Sequence, residues 1–157
     1  MKLGNSFDVA DIVHELGHVL GMEHTHTRQD RDDYVQFRCE KLVGYYEKLG
    51  QYMMKKKPED GPNGLCEDWN IAAWLGFSAA DYVKGALPAG EQVPGQSPRT
   101  YRLWPVRSSG PYPVESVMQY PSDGAASGLC TKENLKECPL VSVLFGSQST
   151  TDYWPNL

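Results

Sequence analysis

HELGHVLGMEH, His14 to His24, carries three histidines within eleven residues, with a glutamate, Glu15, directly after the first. On a helix, at ~100° per residue, Val9, Ile12, Val13, Leu16 and Leu20 line up as one apolar stripe. His14 and His18, four apart, share the opposite side. Glu15 lies about a quarter turn from them. One face calls for a core, and the other offers two imidazoles to a cleft. A catalytic zinc takes three protein ligands and keeps a fourth position for water. His14 and His18 supply two, and the chain must turn to bring the third. Gly21 can adopt positive φ at no steric cost, which lets His24 swing back to the metal. Glu15 is then the natural general base for a zinc-bound water. HExxH alone also occurs in plain helices, whereas the extended pattern HExxHxxGxxH fixes five positions and is far more specific. All four histidines fall between positions 14 and 26. His26 follows His24 too closely for both to reach one metal in the same way, and reads as a neighbour rather than a ligand.

These residues need elements to position them. Residues 5–20 read as a helix that Asn5 or Ser6 can cap. Asp8 and Asp11 sit near its start, where the dipole favours negative charge, and Gly21 ends it. Val35-Gln36-Phe37 alternates like a short strand. Residues 41–56 read as a second helix, weakened by Gly44 and Gly50. Residues 65–75 (LCEDWNIAAWL) are amphipathic, with Leu65, Trp69, Ala72, Ala73 and Leu75 near one face. From Gly85 to Pro113 glycine and proline crowd together, which predicts a long loop with Tyr101-Arg102-Leu103-Trp104 as a candidate strand inside it. A loop of that length in a compact domain is usually functional or mobile.

The 157 residues fit one domain. Its 40% hydrophobic and 22% charged residues are near globular averages. The net charge of -5 and the lack of a basic stripe argue against nucleic acid as a partner. Lys55-Lys56-Lys57 is a short run that reads as a solvated face. No apolar run reaches the ~18 residues of a membrane span, and no signal-peptide h-region is visible ahead of the histidines. The cysteines Cys39, Cys66, Cys130 and Cys138 are even in number and outside CxxC pairs. They allow three pairings. Cys39–Cys66 with Cys130–Cys138 is favoured because the second pair closes a short local loop. Disulfides point to an oxidising, extracellular setting; four reduced buried thiols are the alternative.

The chain from His14 onward resembles the metzincin zinc endopeptidases, and within them the astacin-like ones. HTHTRQDRDDYV matches the string that follows the third zinc histidine in that family at Arg28, Asp30, Arg31 and Asp32. These four read as a salt-bridge framework rather than as catalysts. Ser116-Val117-Met118-Gln119-Tyr120 matches the family's SxMxY Met-turn. The resemblance makes Met118 an apolar floor under the metal. It makes Tyr120 an extra zinc ligand that swings away to stabilise the oxyanion, which suits a phenol O–H beside developing negative charge. The Cys39 region and Cys138-Pro139 are similar to fungal members. Thr25 stands where the family has a glutamate that anchors the buried mature N-terminus, so the resemblance does not carry that activation switch over. His-Thr at this position also occurs in pappalysin-like metzincins, but RQDRD and the Met-turn tyrosine argue against them. The family places a sheet-bearing N-terminal half above the cleft, and here only MKLGN and a few residues precede the zinc ligands. The resemblance therefore covers the zinc helix and the C-terminal half, with the N-terminal half missing.

The expected fold is α+β: a mostly helical metzincin-like fragment, one partial catalytic domain over 1–157, with long loops, a zinc-binding active-site helix, a Met-turn and little regular sheet. The expected function is that of a zinc-dependent endopeptidase acting on protein or peptide substrates by Glu15-assisted attack of a zinc-bound water. The rival reading is a zinc-binding remnant without turnover. Zinc as a mere staple is disfavoured, because structural sites close with four protein ligands and Tyr120 is the one fourth candidate. The apolar stripe of the first helix, deprived of its sheet, is expected to be exposed and to offer a surface for self-association.

Overall fold

The computed structural model describes residues 9–56, 60–61, 63–92, 101–105 and 109–143. The helix start expected at residues 5–8, with its cap at Asn5 or Ser6, lies outside them. The first helix, α1, runs Val9–Val19. It stops in a Schellman arrangement, with the Gly21 N–H on the His18 carbonyl (3.0 Å) and the Met22 N–H on the Gly17 carbonyl (2.9 Å). Gly21 takes φ +81°, as the turn requires. The stripe of α1 is open to solvent: Leu16 is 51% and Leu20 79% exposed. Gly17 is the helix's one buried residue.

Past His24 the chain makes two 3-10 turns, Thr25–Thr27 and Arg31–Asp33, and enters strand β1, Val35–Phe37, at the position its alternation predicts. The second helix, α2 (Tyr45–Lys55), is shorter than the expected 41–56. Residues ahead of it are taken up by the 3-10 turn Cys39–Lys41 and by Gly44 at φ +78°. The amphipathic stretch 65–75 is two short helices rather than one, α3 (Gly64–Glu67) and α4 (Trp69–Trp74). Asp68 breaks it by turning its carboxylate onto the N–H groups of Asn70 and Ile71, which caps α4. The expected inner face survives the break, with Leu65, Ala72 and Leu75 buried.

The stretch expected as loop contains a hairpin. Strand β2 (Ala86–Gln92) pairs antiparallel with β3 (Tyr101–Pro105), and its register slips between Pro88 and Gln92. Pro88 and Gly90 disguise β2 in the sequence, because both residues weaken a strand reading. A bulge is where a strand tolerates them. The last strand, β4 (Leu140–Ser142), pairs antiparallel with β1, setting Phe37 opposite Leu140. Among the described residues the sheet is thus two two-stranded ribbons set among helices, in keeping with an α+β chain of little regular sheet.

The main core gathers Leu42, Tyr52, Leu65, Ala72, Leu75, Phe77, Ala79 and Tyr82. Val35, Tyr112 and Leu140 form a second, smaller one. Disulfides join Cys39 to Cys66, tying β1's exit to α3, and Cys130 to Cys138, closing a local loop ahead of β4.

Candidate metal centre

Three imidazoles converge where α1 meets the turn behind it. The Nε2 atoms of His14, His18 and His24 lie 3.1–3.2 Å from one another. The far nitrogens set the tautomers. His14 Nδ1 donates to the Val117 carbonyl at 2.7 Å, and His18 Nδ1 to the Met22 carbonyl at 3.0 Å. With the far nitrogen so engaged, the neutral form of each of these two rings turns its Nε2 lone pair inward. Burial, then the nearby His18 and His14, push the His24 imidazole down to about 4, which keeps it neutral and able to ligate. A tetrahedral zinc with Zn–N bonds of about 2.0–2.1 Å needs its nitrogens about 3.3–3.4 Å apart, close to the spacing here. Three imidazoles that share one small volume, with no carboxylate among them, suit a borderline-soft divalent ion.

Below the histidines lies the turn at 116–118. The Met118 side chain is buried against the one gap in α1: a Cβ on Gly17 would stand 2.4 Å from its Sδ. The backbone of this turn does more. The Val117 carbonyl holds His14, the Met118 carbonyl accepts the Thr25 N–H at 2.9 Å, and Ser116 Oγ accepts the Met118 N–H at 3.1 Å. One turn thus fixes both a helical imidazole and the residue after His24. Gly17's part is invisible in the sequence, where its sole signal is a glycine inside a helical pattern.

Tyr120 sits with its ring centroid 4.3 Å from that of His24. Burial raises its pKa, helped by the charges of Asp81 and Glu15, so the phenol stays protonated near neutrality. Glu15 is half-buried on α1, near enough to Tyr120 for its charge to be felt. His26 is fully buried beside the triad but not in it, with Nε2 on the Asp81 carbonyl at 3.0 Å. Burial above all pushes its imidazole down to about 3.

The charged string after the triad is a framework. Arg28 grips Asp30 with two bonds of 2.9 and 2.7 Å. Arg31 is buried and donates to the carbonyls of His26 and Tyr82, while Asp32 takes Arg31 and Lys84. A cavity of about 940 Å³ opens on this framework, beside Arg31, Asp32, Tyr82 and Lys84. None of the three imidazoles lines it. The triad is the stronger candidate site, because volume without convergent donors does not activate a substrate.

Residues 3–60 match the model of the astacin peptidase family. The zinc metalloproteinase nas-39 of Caenorhabditis elegans is 33% identical over 77 residues, which is 48% of this chain and 8% of that protein. Bone morphogenetic protein 1 of Xenopus laevis is 45% identical over 74 residues, 47% of this chain and 10% of its own length. Astacin-like metalloprotease toxin 4 of Loxosceles laeta is 44% identical over 50 residues, 32% of this chain and 44% of its own length. The chain thus matches less than half the length of each of these relatives. No solved structure matches it significantly.

Proposed function

We propose, from the match of residues 3–60 to the astacin peptidase family, that the chain is a zinc-dependent endopeptidase of protein or peptide substrates, secreted and disulfide-bonded. The observation that carries this reading is the 3.1–3.2 Å triangle of Nε2 atoms from His14, His18 and His24. Zinc held there would polarise the scissile carbonyl and lower the pKa of a bound water.

The protein's own groups do the rest. A carboxylate oxygen of Glu15 accepts the proton of the attacking water and passes it to the leaving amine nitrogen. The Tyr120 phenol, kept protonated by its buried setting, donates its O–H to the developing oxyanion. Met118 closes the floor and keeps water from beneath the site. The two disulfides suit the oxidising compartment in which such an enzyme would work.

The exposed stripe of α1 favours a second reading, a metal-binding segment without turnover. A peptide must be held against the attacking water, and positioning carries much of a hydrolase's rate. One experiment separates the two. Purified chain, zinc-loaded, is given a quenched mixed-sequence peptide pool with and without chelator, beside Glu15→Gln. Chelator-sensitive cleavage that Glu15→Gln abolishes while keeping its zinc supports the peptidase. Folded, zinc-loaded protein that cleaves nothing leaves the second reading standing. Turnover retained in Glu15→Gln removes Glu15 as the base.

A further inference from the structure

We infer that His26 is a positioning residue, a neutral imidazole strut that sets the placement of Tyr120 beside the triad. This rests on the peptidase reading for its catalytic consequence, though not for its geometry. His26 is 0% exposed, and both ring nitrogens are engaged by different parts of the chain. Nε2 meets the Asp81 carbonyl at 3.0 Å, and the Tyr120 backbone N–H meets Nδ1 at 3.4 Å. A carbonyl can only accept and a backbone N–H can only donate, so one tautomer satisfies both: proton on Nε2, lone pair on Nδ1. The same ring lies 4.2 Å, centroid to centroid, from the Tyr120 ring and 5.3 Å from His24. Tyr120 is therefore hung by its backbone on His26 and packed by its ring against it. The strut is itself fixed, because Arg31 donates to the His26 carbonyl at 3.1 Å and to that of Tyr82. Its far end is the 3-10 turn Ser78–Tyr82, which carries Asp81. His26 so joins three segments distant in sequence: the loop of the third ligand, the Asp81 turn and the Met-turn tyrosine.

A histidine that merely filled the core would matter equally whatever stood at position 120. A strut acts through Tyr120, and that difference can be measured. Glutamine offers one acceptor and one donor at nearly the spacing of the ring nitrogens, whereas leucine offers neither. On zinc-loaded protein with a quenched peptide substrate, His26→Leu is expected to lower kcat by about tenfold or more with KM little changed, and His26→Gln to restore most of it. In a Tyr120→Phe background His26→Leu is expected to cost less than about twofold. Equal losses in both backgrounds, or a loss that tracks weakened zinc binding in a chelator competition, would overturn the proposal.

Two readouts need no turnover. Long-range ¹H–¹⁵N spectra of native protein are expected to show His26 protonated on Nε2; the other tautomer overturns the strut. A 3-fluorotyrosine at position 120 is expected to shift its ¹⁹F line in His26→Leu and to keep it in His26→Gln, and an unmoved line in both refutes the positioning. If wild type does not cleave at all, the peptidase reading fails while these two readouts still decide the strut.

Discussion

Gly17 is where helix α1 meets the Met118 side chain, and Gly17→Ala tests that contact. The added Cβ would stand 2.4 Å from Met118 Sδ, 3.3 Å from Cε and 3.6 Å from Cγ. Ordinary nonbonded contacts lie at about 3.5–4.0 Å, so the overlap exceeds an ångström. Three consecutive side-chain atoms lie against the helix there, and Met118 is 3% exposed. Swinging the methyl end aside does not relieve the clash. Overpacking of this kind costs about 1–3 kcal/mol. Against it, alanine in a helix interior gains up to about 1 kcal/mol over glycine. With a gain of about 0.5–1 kcal/mol, the net is a loss of about 0–2.5 kcal/mol. Met118→Ala alone costs about 2–5 kcal/mol through the cavity it leaves. In that background the clash has gone and the helix gain remains, so Gly17→Ala should turn stabilising by about 0.5–1 kcal/mol. Urea unfolding of the four metal-free proteins gives the cycle. The expected coupling is about 1–3 kcal/mol with a change of sign. Equal effects in both backgrounds would refute the idea that Gly17 exists to admit Met118. Zinc affinity should fall about tenfold in Gly17→Ala, because displacing Met118 disturbs the neighbouring Val117 carbonyl that orients His14.

The disulfides and the buried imidazoles give two more tests. Cys39–Cys66 spans 27 residues and Cys130–Cys138 spans 8. Loop-closure entropy then makes the paired serine replacements cost about 3–4 and about 2–3 kcal/mol respectively, and urea midpoints in the reverse order would count against that account. His24 and His26 are held down to about 4 and about 3 from 6.5. Below about pH 6.5 the unfolded chain takes up protons that the folded one resists. Stability of the metal-free protein should therefore be full above that pH and fall as pH drops through about 4 and on towards 3. A flat series of urea midpoints between about pH 7 and 4 would show that neither ring is held neutral.

The candidate site was legible because its spacing is local. His14 and His18 share a face at i, i+4, Gly21 supplies the turn, and His24 follows within one loop; no long-range information is needed to bring the three together. Met118 and Tyr120 could be singled out only by resemblance, since a lone methionine or tyrosine in a sequence points to core. What failed was also physical. The break at Asp68 depends on a side chain outcompeting the helix it interrupts, which a hydrophobic stripe does not register. Strand β2 hid behind Pro88 and Gly90, whose reading as loop is correct for an isolated chain and reversed by pairing with β3. Gly17 and His26 owe their parts to partners far off in sequence, Met118 for one and Asp81 with Tyr120 for the other. Neither residue type announces such a partner.

Helix α1 raises the question of what holds it in place. It has 11 residues and one buried position, Gly17. Isolated helices below about 12–15 residues are marginal in water, and the burial that usually rescues them is missing here, since Val9, Val13, Leu16 and Leu20 are all exposed. Its ties to the rest, among the described residues, include the Met118 contact, the His14–Val117 bond and the convergence on His24. The last of these becomes strong when a metal joins the three nitrogens; structural zinc sites contribute about 10–16 kcal/mol in small domains, far beyond the cost of ordering one short helix. A metal held by the three histidines should therefore act as the tether of α1 as well as serve the proposed chemistry. Chelation is expected to strip amide-exchange protection from residues 9–19 and to lower far-ultraviolet helicity, while the core around Tyr52 and Tyr82 stays protected. Repeating it over a protein concentration series tests a competing support, self-association through the stripe. Protection of α1 that survives chelation at every concentration would refute the tether, and protection that survives only at high concentration would assign the helix to a contact between copies.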